Sequence, residues 1–585
     1  MITLNAHGLG ANEYTEELFG ANILASRDQI GADGTFDEKV AALGIDHIRY
    51  PGGSLTEDYF DLTDPDKASA IDPDTGREVE LLPYSEFMAY AEENDIDVTV
   101  VLPTRNYLSA EDDASGHRTA EVDEDALRTF VRDTLNGEYG DPTIRGFEIG
   151  NEYWGSGEMD ALEYGRVSSR MAEIVNDEIN NHPQSELFQD IDILVQNGQN
   201  YGSSRLSDSY DHILEGNDQL AAVMSDYGLD LDPDVFMYNN GEVAWPKVMN
   251  EIIISEFDTQ AEMDAVDGLA FHIYSKGADN VNSRDFDLRS AEQTWDEHFD
   301  GLEKHVTEWN LKASRSWEVE EEYGLKQAHE MLNMTEEFTE HGVESGFVWA
   351  VQQNNLTNLA GNEGDEGPLN VPGEMFRMMN EVLPNTTAID LSPADGTEHE
   401  VVEEDTAVHS FYSDDTFVTF IASNSEEPHQ TQIDFSQILD AGGTMRVEVL
   451  GVEDGYNPTD SRSPAEVTEL DPADVFKDGV FTADLDAYEI MRVVVDNPNY
   501  TEEFERAVAP EPDDPDPEAV GDSVPDPGDP IIPTIPDNNS DLNYPDDTEE
   551  NQQLADESPD DDGGMAGGLG GLLGLLPLLA LLGGF

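Results

Sequence analysis

The stretch Gly146-Phe147-Glu148-Ile149-Gly150-Asn151-Glu152-Tyr153-Trp154-Gly155 is a short apolar run that ends in Asn-Glu, with aromatics directly behind it. It reads as a buried strand carrying a carboxylate at its C-terminal end. Such a glutamate is out of place in a plain hydrophobic core. It is in place at the mouth of a parallel barrel, where the strand ends carry the chemistry.

Outward from this strand, apolar runs alternate with amphipathic segments up to about residue 375, the pattern of βαβ units on a parallel sheet. Strands are expected at residues 18–24, 46–50, 97–102, 144–150, 191–196, 266–274, 304–309 and 346–351. Helical spacing occurs at 36–43, 84–91, 123–135, 162–179 and 323–340. This α/β pattern predicts a (β/α)8 TIM barrel over residues 1–375, with 200–257 holding the fifth helix and an extra loop near the site.

Residues 376–500 change to short alternating runs at 407–411, 416–422, 444–450 and 490–495, separated by turn signals such as Ala441-Gly442-Gly443. They predict an all-β sandwich domain, to which residues 2–5 are a candidate extra strand. Residues 501–562 are rich in Pro, Asp and Glu, with no Lys or Arg after Arg506, and are expected to form a disordered acidic linker. Residues 563–585 form an apolar Gly/Leu-rich tail, close to the roughly 20 residues that span a bilayer. Its glycines and Pro577 weaken a helix and no basic anchor flanks it. The tail reads as a membrane anchor, as an export or sorting signal contacting export machinery, or as a docking segment.

The 585 residues are 38% hydrophobic, enough for a large core, and carry a net charge of −102 from 129 acidic and 27 basic residues. That balance excludes nucleic acid, whose phosphates need Lys/Arg patches, and is repelled by an anionic membrane surface. It fits a solvated acidic surface that stays soluble in high salt, where screening removes self-repulsion. The Asp-rich stretch 61–76, with Asp64, Asp66, Asp72 and Asp74, is a candidate for calcium but lacks the spacing of a calcium loop, and no metal site is assigned. The absence of cysteine excludes disulfides, a thiolate nucleophile and Cys-based zinc sites. Residues 1–20 lack the regions of a signal peptide and are expected to lead directly into folded sequence.

Glycoside cleavage with retention needs two carboxyl groups about 5–5.5 Å apart, one as acid/base and one as nucleophile. Glu152 ends the expected fourth strand, and Glu308 lies in His305-Val306-Thr307-Glu308-Trp309-Asn310 of the seventh. Each is flanked by aromatics that could stack on sugars. Glu152 is therefore the candidate acid/base and Glu308 its partner, with a carbohydrate as substrate. Arg49 could hold a carboxylate ionised, and Asn151 could bond a sugar hydroxyl. In Ala270-Phe271-His272-Ile273-Tyr274, alternation sends His272 and Tyr274 to one face, Tyr274 toward the nucleophile and His272 toward the acid/base or the sugar. Trp349 is either a platform under the sugar ring or a core residue. His-Glu-x-x-His, P-loop and dinucleotide-turn motifs are absent, and no cofactor is expected.

These residues resemble the strand-end pattern of clan A glycoside hydrolases. Arg49-Tyr50-Pro51-Gly52-Gly53, Gly150-Asn151-Glu152-Tyr153-Trp154-Gly155 with Met159 and Tyr164, and Glu308-Trp309-Asn310 are similar to motifs of the family 51 α-L-arabinofuranosidases. The resemblance covers roughly residues 15–500. It implies Glu152 as acid/base, Glu308 as nucleophile, Asn151 as the residue before the acid/base and Tyr274 as the nucleophile's holder. The chain departs from the family at Ser54, where the family has Asn, and in residues 19–26, which lack its sugar-binding Glu. A β-xylosidase or glucuronidase-like relative therefore stays open, as does a non-catalytic glycan-binding surface protein. A polysaccharide substrate favours an extracellular or cell-surface setting, the alternative being the cytoplasm of a salt-accumulating organism.

Overall fold

The computed structural model describes residues 1–31, 34–72, 75–313, 321–353, 355–392, 400–403, 405–440 and 442–509. The expected acidic segment from residue 510 onward, the apolar tail at 563–585, and Asp74 of the Asp-rich stretch lie outside the described residues. Among the described residues no helix is long and apolar enough to cross a membrane.

Eight parallel strands close into a barrel in sequence order. They are β1 Gly20–Asn22, β2 His47–Tyr50, β3 Asp97–Leu102, β4 Ile144–Ile149, β5 Asp192–Gln196, β6 Gly268–Ser275, β7 Glu303–Leu311 and β8 Val343–Val348. All eight expected strands are present, with shifted ends. β1 is cut short by a 3-10 turn at Glu16–Phe19, and β8 ends at Val348, so Trp349 stands just past its strand. Residues 200–257 resolve into the short helices Ser207–Tyr210, Gly216–Tyr227 and Pro233–Phe236, followed by the barrel helix Trp245–Ile254. The helix after β4, Ala161–Asn181, starts at a capping box. Asp160 accepts from the Glu163 backbone, and Glu163 reaches back to the Asp160 backbone. That box pins the far end of the loop that begins at Asn151.

The β domain is two sheets around a separate core. The larger runs in the order Asn5–Glu13, Thr387–Ser392, Thr406–Tyr412, Thr416–Ser423, Ile490–Asp496, Thr444–Val452, Ala465–Leu470. The smaller is Ile2–Thr3, His429–Asp434, Val480–Leu485, Phe476–Lys477. The apolar run 416–422 is buried on both faces. Phe417 and Ile421 face the smaller sheet, whereas Val418 and Phe420 join the barrel's core. Two consequences change the expected boundaries. Residues 1–13 pair with Thr387–Ser392 and His429–Asp434 of the β domain, so the candidate strand at residues 2–5 does join it and the barrel unit begins after residue 13, not at residue 1. Residues 501–509, expected as linker, include the helix Glu502–Ala507, capped by Thr501, which sinks Phe504 into the β core.

The Asp-rich stretch forms the hairpin Ser69–Ile71 and Glu78–Glu80. Three of its aspartates accept hydrogen bonds within the protein: Asp61 from Thr63, Asp66 from the Ser85 backbone, and Asp72 from Tyr59 and Thr75.

Ile2 is fully buried in the β core despite its place near the chain start. Ile2→Ala is expected to lower stability by about 3 kcal/mol, the usual cost of a core truncation. Denaturant unfolding checks this, and an unchanged midpoint would show that the strand does not contribute.

Candidate active site

The site is built on the C-terminal ends of the barrel strands around Arg49, which is fully buried. A guanidinium offers five N–H donors in a fixed fork. Here all five are used. Nε donates to Glu148 Oε2 at 2.6 Å, and Nη2 to Glu148 Oε1 and Asn151 Oδ1, both at 2.9 Å. Nη1 donates to Asn22 Oδ1 at 2.9 Å and to Glu308 Oε1 at 3.0 Å. One side chain from β2 thereby ties β1, β4, the loop after β4, and β7.

Glu308 also accepts from the Tyr274 hydroxyl at 2.8 Å. Burial raises its pKa above the usual carboxylate range, while His272, Arg49 and Tyr274 pull the other way. The register of β6 on β7 slips between Phe271 and His272, which sets His272 beside Glu308. His272 Nδ1 is 3.3 Å from Glu152 Oε1 and 3.6 Å from Glu308 Oε2. Burial lowers the pKa of this imidazole, but Glu308 and Glu152 outweigh that, and the net shift is upward. A carboxylate oxygen of Glu152, one of Glu308 and a His272 ring nitrogen all lie within 4.8 Å of one another. Of the two carboxylates Glu152 is the more open, with 23% of its side chain exposed against 5% for Glu308.

Glu152 sits at φ 43°, the left-handed region that side chains rarely occupy, two residues after Gly150 at φ 81°. The turn is held from several sides. Glu57 accepts from the backbone N–H of Asn151, Thr104 and Arg105, and Gln196 accepts from that of Tyr153. Such a conformation persists only where the surroundings impose it, and it is typical of working sites.

The sequence-predicted residues Arg49, Asn151, Glu152, His272, Tyr274 and Glu308 thus converge. Trp349 closes one wall, against Leu24, Ala350, Leu55 and Tyr274. Its indole lies on Gly53, where a Cβ would come within 2.5 Å of the ring, and a Cβ on Gly52 would meet Ile23 O at 2.0 Å. The Pro-Gly-Gly turn is thus required by close approach. Of the flanking aromatics expected to stack on sugars, two are unavailable. Tyr153 is fully buried and stacked on Tyr164, and Trp309 is fully buried against Phe376 and Phe338. Trp154 stands edge-on to His272 instead.

Three buried residues of the site were not foreseen: Glu148, Glu57 and Asn22. Glu148 carried the same signal as Glu152, a carboxylate inside an apolar strand. Asn22 occupies the stretch that lacks a glutamate. Its Oδ1 accepts from Arg49, and its amide donates to Thr307 O and Phe347 O, so both ends of the side chain are engaged within the protein. Ser54 starts the helix Leu55–Tyr59 that carries Glu57.

Solved structures similar to this chain include a GH51 arabinofuranosidase from Xanthomonas axonopodis pv. citri, at 13% identity and TM-score 0.55, covering 84% of this chain and 99% of that one. The same figures, 13%, 0.55, 84% and 99%, hold for AbfB, a family 51 alpha-L-arabinofuranosidase from Bifidobacterium longum. A Paenibacillus polymyxa xyloglucanase from glycoside hydrolase family 44 is similar at 10% identity and TM-score 0.50, covering 85% of this chain and 100% of that one. The likeness is one of fold: a closed barrel with a β domain. No family model matches the sequence, and no curated protein matches it.

Arg49→Leu leaves Glu148 and Glu308 buried without their cation and is expected to cost about 3–5 kcal/mol. The deficit should depend on pH. Glu308 already has a raised pKa, and losing Arg49 raises it further. An acid raised in the folded state favours folding fully below its unfolded value of about 4.3, and that contribution is lost as pH rises through the folded value. The stability gap to wild type should therefore be smallest near pH 4 and widen upward; a pH-independent gap in denaturant melts would contradict this.

Proposed function

We propose that the protein is a retaining glycoside hydrolase in which Glu308 is the nucleophile and Glu152 the acid/base. The observation that carries this reading is the pair of carboxylates within 4.8 Å at their nearest oxygens, at the mouth of a closed barrel. An inverting pair would stand about 6.5–9.5 Å apart to admit a water. The same spacing favours turnover over a non-catalytic glycan-binding role.

The roles follow from environment. Glu308 is the more enclosed, and Arg49 and Tyr274 each hold one of its oxygens, which orients the carboxylate for attack on an anomeric carbon. Glu152 faces the cleft, where a leaving oxygen can reach it. In the first step a Glu308 oxygen bonds to the anomeric carbon as the glycosidic bond breaks, and Glu152 gives its proton to the departing oxygen. In the second step Glu152 takes a proton from water, the water oxygen bonds to the anomeric carbon, and the Glu308 ester bond breaks. His272, between the two glutamates, stabilises negative charge on whichever is ionised. Asn151 accepts from Arg49 through Oδ1, and its amide, 3.5 Å from Ser156 Oγ, is the group proposed to donate to the sugar.

For substrate we infer an arabinofuranosidase-like enzyme acting on polysaccharide side chains or oligosaccharides, on the strand-end motifs and the similarity to two family 51 arabinofuranosidases. Asn22 and Ser54 bear on the sugar, and a β-xylosidase or glucuronidase-like specificity is the other outcome of a nitrophenyl-glycoside screen. We propose an extracellular or cell-surface setting on the ground that a polysaccharide cannot enter a cell.

Glu152→Ala is expected to lose roughly 10²–10⁴-fold in kcat/KM on substrates with poor leaving groups. Glu308→Ala should lose turnover almost entirely. Azide should rescue both, giving a glycosyl azide of retained configuration from Glu152→Ala and of inverted configuration from Glu308→Ala. The opposite stereochemistry would exchange the roles, and near wild-type turnover by both variants would reject the site.

With a net charge of −102, melting temperature and activity are both expected to rise as KCl is raised from about 0.1 M to about 1 M, where the screening length falls from about 10 Å to about 3 Å. A melting temperature that falls over this range would remove the high-salt reading.

A further inference from the structure

The barrel's other end, where the strands begin, holds a cavity of about 750 Å³ lined by eight carboxylate side chains against one arginine, Arg145. Its inner wall is formed where β5, β6 and β7 start, at Asp192, Gly268 and Glu303. Parallel pairing puts Gly268 level with Glu303 and Ala270 level with His305. His305, two residues into β7, points its imidazole along this wall. The ring can lie there because Gly268 has no side chain: a Cβ would stand 2.8 Å from His305 Cδ2 and 2.9 Å from Nε2.

His305 is 96% buried by its 4% exposure, and Nδ1 is 2.8 Å from Ser345 Oγ. With Nδ1–H donating to that hydroxyl, Nε2 carries a lone pair. Nε2 has no hydrogen-bond partner among the described residues. It stands 3.7 Å from Glu303 Oε2 and 3.9 Å from Asp192 Oδ2, too far to bond either. The three ligand atoms lie within 4.8 Å of one another. Around a tetrahedral ion with bonds of about 2.0–2.2 Å, ligand atoms sit roughly 3.4 Å apart. This arrangement is three corners of such a site, slightly open, with the imidazole oriented by a hydrogen bond from its other nitrogen.

We propose that His305 Nε2, Asp192 and Glu303 bind one divalent transition-metal cation of the zinc type, which clamps the starts of β5 and β7 across β6. One nitrogen with two carboxylates suits zinc-type ions better than calcium or magnesium, which take oxygen ligands. A second cluster on the protein shows the contrast. His341 has both ring nitrogens engaged, Nδ1 with Glu292 at 2.8 Å and Nε2 with Asp285 at 3.4 Å, and Lys304 supplies a cation to Glu292. In that cluster the imidazole has no ring nitrogen left over for a metal. The His305 site lies at the opposite end of the barrel from Glu152 and Glu308 and does not rest on the glycosidase reading.

The test uses the full chain stripped with EDTA, then given ZnCl2 in about 1 M KCl with excess Mg²⁺, so that surface carboxylates are screened and occupied. After desalting, metal analysis should find one equivalent of Zn²⁺, and the melting temperature should rise by a few degrees over the stripped chain. His305→Gln and Glu303→Gln should each lower Zn²⁺ retention at least tenfold and abolish the melting shift. Glu303 is half exposed, so its variant carries the test if His305→Gln does not fold. Retention well below one equivalent in the wild type, or retention unchanged in Glu303→Gln, overturns the proposal. So does retention lost in His341→Gln or Glu152→Gln but kept in the His305 and Glu303 variants.

Discussion

A single buried cation organises the barrel mouth. Arg49 is out of contact with water, and a buried guanidinium is tolerable only when its charge and its donors are all answered. Two carboxylates and two amides answer them, from β1, β4, the loop after β4, and β7. Replacing any one partner leaves a buried donor unmet, so the five groups constrain one another. Asn22 is engaged for this reason, and Glu308 is oriented by it. One positive charge set against Glu148, Glu308 and Glu152 also leaves the site short of cations, which is why His272 is pushed toward its protonated form.

The loop after β4 depends on a second buried carboxylate. Glu57 collects the backbone N–H groups of Asn151, Thr104 and Arg105 and so fastens the ends of β3 and β4 to the helix Leu55–Tyr59. Burial pushes the Glu57 pKa up, against the pull of those hydrogen bonds. Together with Gln196 below and the Asp160 capping box beyond, it holds Glu152 in a backbone conformation that a free loop would leave. The positive φ of Glu152 is thus a product of its neighbours and not of its own preferences.

The β domain braces the barrel and is built into it. Its larger sheet gives one face to its own core and the other to the barrel helices, with His409 bonded to Glu336 at 2.7 Å and Arg492 to Met378 O at 2.8 Å across the junction. Because residues 1–13 cross into these sheets before β1 begins, the barrel's first strand starts from an anchored chain.

The sequence by itself determined the barrel, the β domain and the six residues that meet at the mouth. Those signals are local: a strand buried on both faces must be an apolar run, and a glutamate ending one is conspicuous wherever it occurs. Glu148 is equally conspicuous in the sequence, and only its two bonds to Arg49 separate its place from that of Glu152. The boundaries were less legible, because the smaller sheet is made of short, half-polar strands such as His429–Asp434, whose pairing with Ile2–Thr3 joins residues more than four hundred positions apart. Tertiary structure alone decided which aromatics are walls and which are core, since Tyr153 and Trp309 look like Trp154 and Trp349 until their neighbours are known. It alone decided that Asn22 serves Arg49, that Glu57 holds the loop after β4, and that His305 meets Asp192 and Glu303. In each case the partner lies on a different strand or helix, and distance in space between such elements is set by barrel closure and register, which no single stretch of sequence encodes.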